Sequence, residues 1–436
     1  MPPEHALTTQ IRTALRAAGA ATRAELQGTM GVSQATMSRA LAPLLHSGEV
    51  HKVGRGPAQA YVMPRQVPGV ASPVSVVRIS AMGQASLFAT LIPVTGGRYW
   101  LAEEGGPAAL HGGLPWFLSD MRPQGFMGRS FAHAHPELDL AANPGHWNDD
   151  DLLRALTNAG EDLPGNLVLG AASFQRFHAL KVQAVNSVSD YPALADIAMQ
   201  GGAPGSSAGG ENPKFCVLRA GRQVLVKFTA ADDSMAAQRW RDLLRCEHLA
   251  LRTLSAGGVA AATSEVFTAA GRVFLEVQRF DRTALGRIGM VSLMAFDAEF
   301  VGKMDDWAQT AARLAARGLL SDAGAHQLQL LEAFGRLIGN SDRHYGNVSL
   351  LLEQGQWRLA PAYDMLPMVY APVGGELVPR DFAAGSIKPT TETLRVWPRA
   401  QAMARDFWAA VAQEADISEA FRALARGHAE GLTQTG

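Results

Sequence analysis

The chain has 436 residues, 47% of them hydrophobic, with 39 Lys/Arg against 40 Asp/Glu and a formal net charge of -1. That length predicts two or three folding units with ample apolar material for their cores. No run nears the roughly 20 apolar residues of a membrane span, the start MPPEHALTTQ lacks a secretory layout, and Cys216 and Cys246 form no CxxC pair, which argues against a membrane partner, a disulfide scaffold or a zinc site and predicts a cytoplasmic protein.

Residues 1–65 carry an excess of base: Arg12, Arg16, Arg23, Arg39, Lys52, Arg55 and Arg65 against Glu4, Glu25 and Glu49. A first helix is expected over 8–18, with Ile11, Leu15 and Ala18 on one face, until Gly19 breaks it. Thr22 and Glu25 have capping-box spacing before a short second helix, and Ser33 can cap a third, SQATMSRALAPLLHSG. Two extended runs, EVHKV and AQAYVM, then flank GRGP. That order predicts a winged helix-turn-helix. Ser33, Gln34, Thr36, Ser38 and Arg39 at the start of the third helix are placed to reach base edges in a major groove, and Arg55 on the wing tip to reach the backbone or minor groove. A packing or dimerisation module that touches no DNA is the competing reading.

VPGVASPVS reads as a linker. Strands are expected at VSVVRIS, ASLFATLIP and GRYWLAEE, and an amphipathic helix within NDDDLLRALTNAGEDLPGNLVLG. His133 and His135, two apart without a third ligand nearby, read as a solvated loop.

Four constellations follow in a fixed order. The loop GGAPGSSAGGENPKF, 201–215, is built of small residues whose N–H groups can approach phosphate oxygens, with Lys214 adding charge; a flexible linker would look similar. Lys227 lies on the strand QVLVKF, where a lysine can bind α and β phosphates, and Glu247 in the helical stretch RWRDLLRCEHLALRTL can orient it. A solvent-facing strand lysine is the alternative. VFLEVQRFDR, 273–282, can form a hinge whose backbone near Gln278 and Phe280 binds adenine. Last comes NSDRHYGN, 340–347, followed by YDM at 363–365. Asp342 and Asn347 are five apart, the separation of the base and metal-binding asparagine in a kinase catalytic loop. Asp342 would accept a hydroxyl proton and Asn347 would hold Mg2+, while a hairpin (VSLLL, then WRLAP) would return Asp364 to the same metal.

These motifs resemble the HipA family of bacterial serine/threonine kinases, toxin partners of HipB antitoxins: SSAGGENPKF resembles its phosphate loop, and LIGNSDRHYGNVSL with LAPAYDM its catalytic and metal motifs. The resemblance spans roughly residues 75–430. It implies an α+β chain: a winged helix-turn-helix (1–65), as in the longer YjjJ-like branch, a HipA N-terminal subdomain (66–200) and a kinase core (201–436). That core would be a two-lobed protein-kinase-like fold with a β-rich small lobe (201–285) and a helical large lobe (286–436).

The implied site residues are Asp342 as base, Asn347 and Asp364 as magnesium ligands, and Lys227 as the ATP lysine. Ala208, Gly209, Gly210 and Lys214 would lie in the phosphate loop, and His344 to Asn347 along the nucleotide. Ser206, or Ser207 beside it, would be autophosphorylated and silence the kinase. The implied cofactors are ATP and Mg2+. The implied partners are a protein substrate such as an aminoacyl-tRNA synthetase or other translation factor, DNA, and a HipB-like antitoxin. Two other classes stay open: a transcription regulator whose kinase fold only senses nucleotide, and a small-molecule kinase of the aminoglycoside-phosphotransferase type.

Overall fold

The computed structural model describes residues 4–54, 59–200 and 212–434. Its N-terminal elements are helix α1 (Glu4–Ala18), strand β1 (Ala20–Thr22), helices α2 (Arg23–Met30) and α3 (Gln34–His46), and strands β2 (His51–Val53) and β3 (Ala60–Val62). Ile11 and Leu15 are buried as expected, against Leu26, Met37, Leu41 and Leu44. Ala18 at the helix end is exposed and the stripe runs back to Leu7 instead, because α1 begins at Glu4 rather than at residue 8. The expected capping box is present: Thr22 Oγ1 accepts from Glu25 N at 3.2 Å, and Thr22 N donates to Glu25 Oε2 at 2.7 Å. The sheet order β1-β3-β2 contains one strand, β1, that nothing in its local sequence announced.

Next come β4 (Val74–Ile79), β5 (Ala85–Val94), β6 (Arg98–Glu103), β7 (Ala108–His111), helices α4 (Trp116–Ser119), α5 (Gly125–Ala134) and α6 (Asp149–Ala159), strand β8 (Leu167–Leu169) and helix α7 (Gly170–Ala179). The strands form an antiparallel sheet in the order β7-β6-β5-β4-β8. Leu152, Leu153 and Leu156 of α6 pack with Leu91, Tyr99 and Leu101 of that sheet. The stretch expected to be a linker is not loose, because Val67 and Val70 are buried in the same core. Its Pro and Gly shape an irregular backbone, yet its valines still leave water. A further small core joins Val53, Ala60 and Val62 to Ile92, Val94 and Trp100, so the N-terminal hairpin is docked on this sheet.

The remaining elements are β9 (Ala184–Val185), α8 (Tyr191–Gln200), β10 (Lys214–Arg219), β11 (Arg222–Phe228), α9 (Met235–Ala256), β12 (Ser264–Ala269), β13 (Arg272–Gln278), β14 (Gly289–Ser292), α10 (Leu293–Phe300), α11 (Trp307–Ala316), α12 (Asp322–Leu337), β15 (Ser349–Glu353), β16 (Gln356–Leu359), α13 (Trp397–Gln413) and α14 (Glu419–Gln434). One sheet runs β12-β13-β11-β10-β9 with α9 against it, and beyond it lies a mainly helical region built on Trp307, Phe334, Leu337, Phe407, Trp408 and Phe421. The architecture is mixed α+β, as expected. The hairpin β15–β16 is present, and β14 joins it as an extra strand.

Candidate active site

Strand β11 lies between β10 and β13, and α9 crosses over it from Ser234, which caps that helix by accepting from Ala237 N at 3.1 Å. This arrangement buries Lys227 to 6% exposure and Glu247 completely. Nζ of Lys227 donates to both Glu247 carboxylate oxygens, at 2.7 and 2.8 Å, and also to Oδ1 of Asp364. Burial opposes the ammonium charge, but Asp364 and Glu247 outweigh it and hold Lys227 above its ordinary pKa. Burial likewise opposes the Asp364 carboxylate, and Lys227, then Lys214, overcome it and pull that pKa down. At Glu247 burial prevails over Lys227 and pushes the carboxyl up. Lys214 stands directly across the ladder from Lys227, so the two side chains share a face of the sheet.

The loop 340–347 leaves α12 through Gly339, whose φ of 72° and close approach to Val369 exclude a side chain. The side chain of Asp342 is about half exposed, but its backbone is held on both sides. Its N–H donates to Asn340 Oδ1 at 3.0 Å, and its carbonyl accepts from Asn347 Nδ2 at 2.9 Å. Arg343 donates to Glu332 Oε1 on α12 at 3.2 Å and to the Asn340 carbonyl. His344 Nδ1 accepts from Gly346 N at 3.0 Å, and its Nε2 stands 3.9 Å from Asp342 Oδ1. Buried Tyr345 pairs with Thr310 of α11 and anchors the loop.

The β15–β16 hairpin then brings the chain back. Ala362 N donates to Ala260 O, and Ala262 N to Ala362 O, both at 2.9 Å, lacing the approach to Asp364 onto the segment before β12. Asp364 has φ 54°, a left-handed conformation that is costly for a residue with a Cβ and recurrent at functional sites. Tyr363 donates through its hydroxyl to the Gly346 carbonyl at 2.9 Å. Asn347 uses its amide nitrogen on Asp342, which leaves its amide oxygen for a hard cation. One amide oxygen and the Asp364 carboxylate form too small a set to cage a metal alone. They suit Mg2+, which keeps waters and substrate phosphates.

At the expected hinge, the strands take up two backbone donors: Gln278 N donates to Thr263 O at 2.8 Å, and Arg279 N to Gln223 O at 3.0 Å. The Phe280 ring meets the Tyr363 ring at 5.5 Å, beside the segment that carries Asp364. Asp281 next to it accepts from Arg279, from Arg282 at 2.6 Å and from Gly165 N at 3.0 Å, while Arg282 also donates to Asp162 at 3.0 Å. Burial alone would raise Asp281, but Arg279 and Arg282 hold it down at about 2.

The fold thus gathers Lys214, Lys227, Glu247, Asp364 and the 342–347 loop. Arg55, Ser206, Ser207, Ala208, Gly209 and Gly210 lie outside the described residues. The helix-start residues of α3 belong to a separate surface: Gln34, Ser38 and Arg39 are exposed, whereas Ser33 and Thr36 bond each other in the helix cap. Asn340, Tyr363 and the Asp281–Arg282–Asp162 network were not singled out from sequence. Asn340 had a signal, a polar residue directly after an apolar helix; the link from Arg282 to Asp162, 120 residues away, had none.

Residues 70–178 match the family described as YjjJ-like toxin, middle domain, and residues 206–431 match the HipA-like C-terminal domain. The chain is similar to Toxin YjjJ of Escherichia coli (strain K12), at 36% identity over 422 residues that cover 94% of each chain. In structure it resembles a chain of the Shewanella oneidensis MR-1 toxin–antitoxin complex of HipA, HipB and operator DNA. The TM-score is 0.52 at 14% identity, covering 82% of this chain and 96% of that one. The Helicobacter pylori proinflammatory kinase CtkA matches at TM-score 0.37 and 14% identity, over 53% of this chain and 90% of its own. Among the described residues, no helix is long and apolar enough to cross a membrane.

Proposed function

The chain belongs to the YjjJ-like toxins with a HipA-like C-terminal domain, and we propose that it is an ATP-dependent protein serine/threonine kinase of HipA type. The observation that carries this reading is the buried Lys227–Glu247 pair, bonded onward to Asp364. Burying two charged groups beside a part-exposed third is expensive, and phosphate binding by Lys227 gives that arrangement a use.

In the proposed reaction Lys227 and Lys214 bind the triphosphate of ATP, with Ala208, Gly209 and Gly210 offering backbone N–H groups to it. Gln278, Phe280 and His344 line the nucleotide. Asn347 and Asp364 hold Mg2+, which when bound neutralises phosphate charge. The acceptor serine or threonine oxygen attacks the γ-phosphorus in line. Its bond to phosphorus forms as the bond to the bridging oxygen of ADP breaks, and its proton passes to Asp342. An exposed carboxylate on a clamped backbone suits that step, since it can meet a protein substrate without wandering.

The same family reading assigns Ser206, or Ser207, as an autophosphorylation site and a translation component such as an aminoacyl-tRNA synthetase as substrate class. It also adds a HipB-like antitoxin as partner. We read residues 1–65 as a winged helix-turn-helix that binds DNA through Gln34, Ser38, Arg39 and Arg55, with Ser33 and Thr36 setting the helix start. Residues 66–200 form the middle domain and 201–436 the kinase core.

The test is intact-mass spectrometry with site mapping after incubation with Mg-ATP, run beside Asp342→Ala. One added phosphate on Ser206 or Ser207 in the wild type alone supports the kinase. Equal gain in both proteins would sink the role of Asp342. A protein unphosphorylated at the start and unchanged at the end would favour a nucleotide-sensing regulator.

A further inference from the structure

Asn340 is completely buried, two residues before the proposed base, on a loop whose Ser341, Asp342 and His344 are exposed. A buried primary amide must place both its ends, and Asn340 places them on two different segments. Its Oδ1 accepts from Asp342 N at 3.0 Å, and its Nδ2 donates to the Asp364 backbone carbonyl at 3.3 Å. Its own carbonyl accepts from Arg343, which is tied back to Glu332. The Asp364 carbonyl it holds belongs to a residue at φ 54°, where the backbone needs an outside contact to persist. Asn347 completes the arrangement by donating to the Asp342 carbonyl at 2.9 Å.

We propose that Asn340 is a positioning residue that makes the base Asp342 and the metal-holding Asp364 a single rigid unit. The inference rests on the kinase reading. It assigns no contact with substrate to Asn340; the amide acts through the backbone of both aspartates. Hydrogen bonds one shell away from a metal ligand typically change affinity or activity by about 10- to 100-fold when removed, and an amide that serves two ligand-bearing segments falls in that class. Asn340 bonds neither Lys227 nor Glu247 and reaches Lys227 only through Asp364, which shares the lysine with Glu247, so nucleotide binding without metal is expected to change far less than binding with it.

Asn340→Asp keeps an acceptor for Asp342 N and loses the donor to Asp364. Asn340→Ser, smaller and neutral, guards against a failure to fold. In each variant and the wild type, ATP binding would be titrated with and without Mg2+, and phosphoryl transfer measured across Mg2+ concentration. The expected result is metal-free ATP affinity within about twofold of wild type, a roughly tenfold or larger rise in the Mg2+ needed for half-maximal ATP binding, and kcat lowered by about 10- to 100-fold. A purely structural role would lower the melting temperature and the active fraction without moving the Mg2+ midpoint, and that result overturns the proposal. An active wild type with unchanged variants overturns it alone. A wild type that shows neither Mg2+-linked ATP binding nor transfer overturns the kinase reading and this inference together.

Discussion

Lys227 and Glu247 form a doubly bonded ion pair, at 2.7 and 2.8 Å, where the glutamate side chain has no exposed surface at all. Twenty residues separate them, and only the packing of α9 on the sheet makes them neighbours. Glu247→Ala leaves a buried ammonium with one partner fewer, and should cost about 3–5 kcal/mol in denaturant unfolding. The double variant Lys227→Met, Glu247→Leu should recover most of that stability while binding no ATP. A double variant as unstable as the single one would show that the site depends on packing rather than on charge.

Asp342→Ala should lower phosphoryl transfer by roughly 100- to 10,000-fold, the usual contribution of a positioned acid–base group. Because the side chain is about half exposed, unfolding should shift by no more than about 0.5 kcal/mol. Normal turnover in a radiolabel transfer assay would remove Asp342 from its role.

Arg98 donates to the carbonyls of Arg16 and Ala17, at 2.7 and 3.0 Å, in the last turn of α1. Those carbonyls have no partner inside the helix. Arg98→Ala should therefore loosen the docking of α1 on the middle sheet at a cost of about 1 kcal/mol. Hydrogen exchange should speed up at the end of α1 and stay unchanged around Lys227. Uniform speeding across the chain would mean that Arg98 supports the whole fold instead.

His428 is buried against Trp408 and Tyr370, with Nε2 paired to the Tyr370 hydroxyl, and burial pushes its pKa down to about 4. In the unfolded chain it titrates near 6.5. Between those values the unfolded chain binds a proton that the folded one refuses. Its contribution is thus complete above about pH 6.5 and is lost as the pH falls to about 4, by up to roughly 3 kcal/mol. Melting curves from pH 7.5 to 4.5 should fall less steeply for His428→Gln, which keeps an acceptor for Tyr370. Parallel curves would show that His428 is not the titrating group.

The local devices were legible because each is complete within a few residues. The Thr22–Glu25 box, the Ser33 cap and the Ile11–Leu15 stripe of α1 need only helical spacing, and all are present, whereas Ala18 at the helix end is exposed. The Asp342-to-Asn347 spacing and the β15–β16 hairpin are local in the same sense, which is why the hairpin that returns the chain to Asp364 could be read from the sequence. The buried valines of the stretch read as a linker were missed because Pro and Gly report on backbone freedom, not on what side chains meet.

By itself, the sequence determined the α+β class, the order of the four motifs between residues 201 and 365 and the identity of the charged residues in them. Only the tertiary structure decided that Lys227 holds Glu247 and Asp364 together, that Asn340 joins the Asp342 loop to Asp364, and that Asp162 reaches the segment after β13 through Arg282. The physical reason is chain distance. Hydrogen bonds and ion pairs between remote segments leave no periodicity in either segment; they exist only once burial has brought two faces together and each polar group must find a partner there.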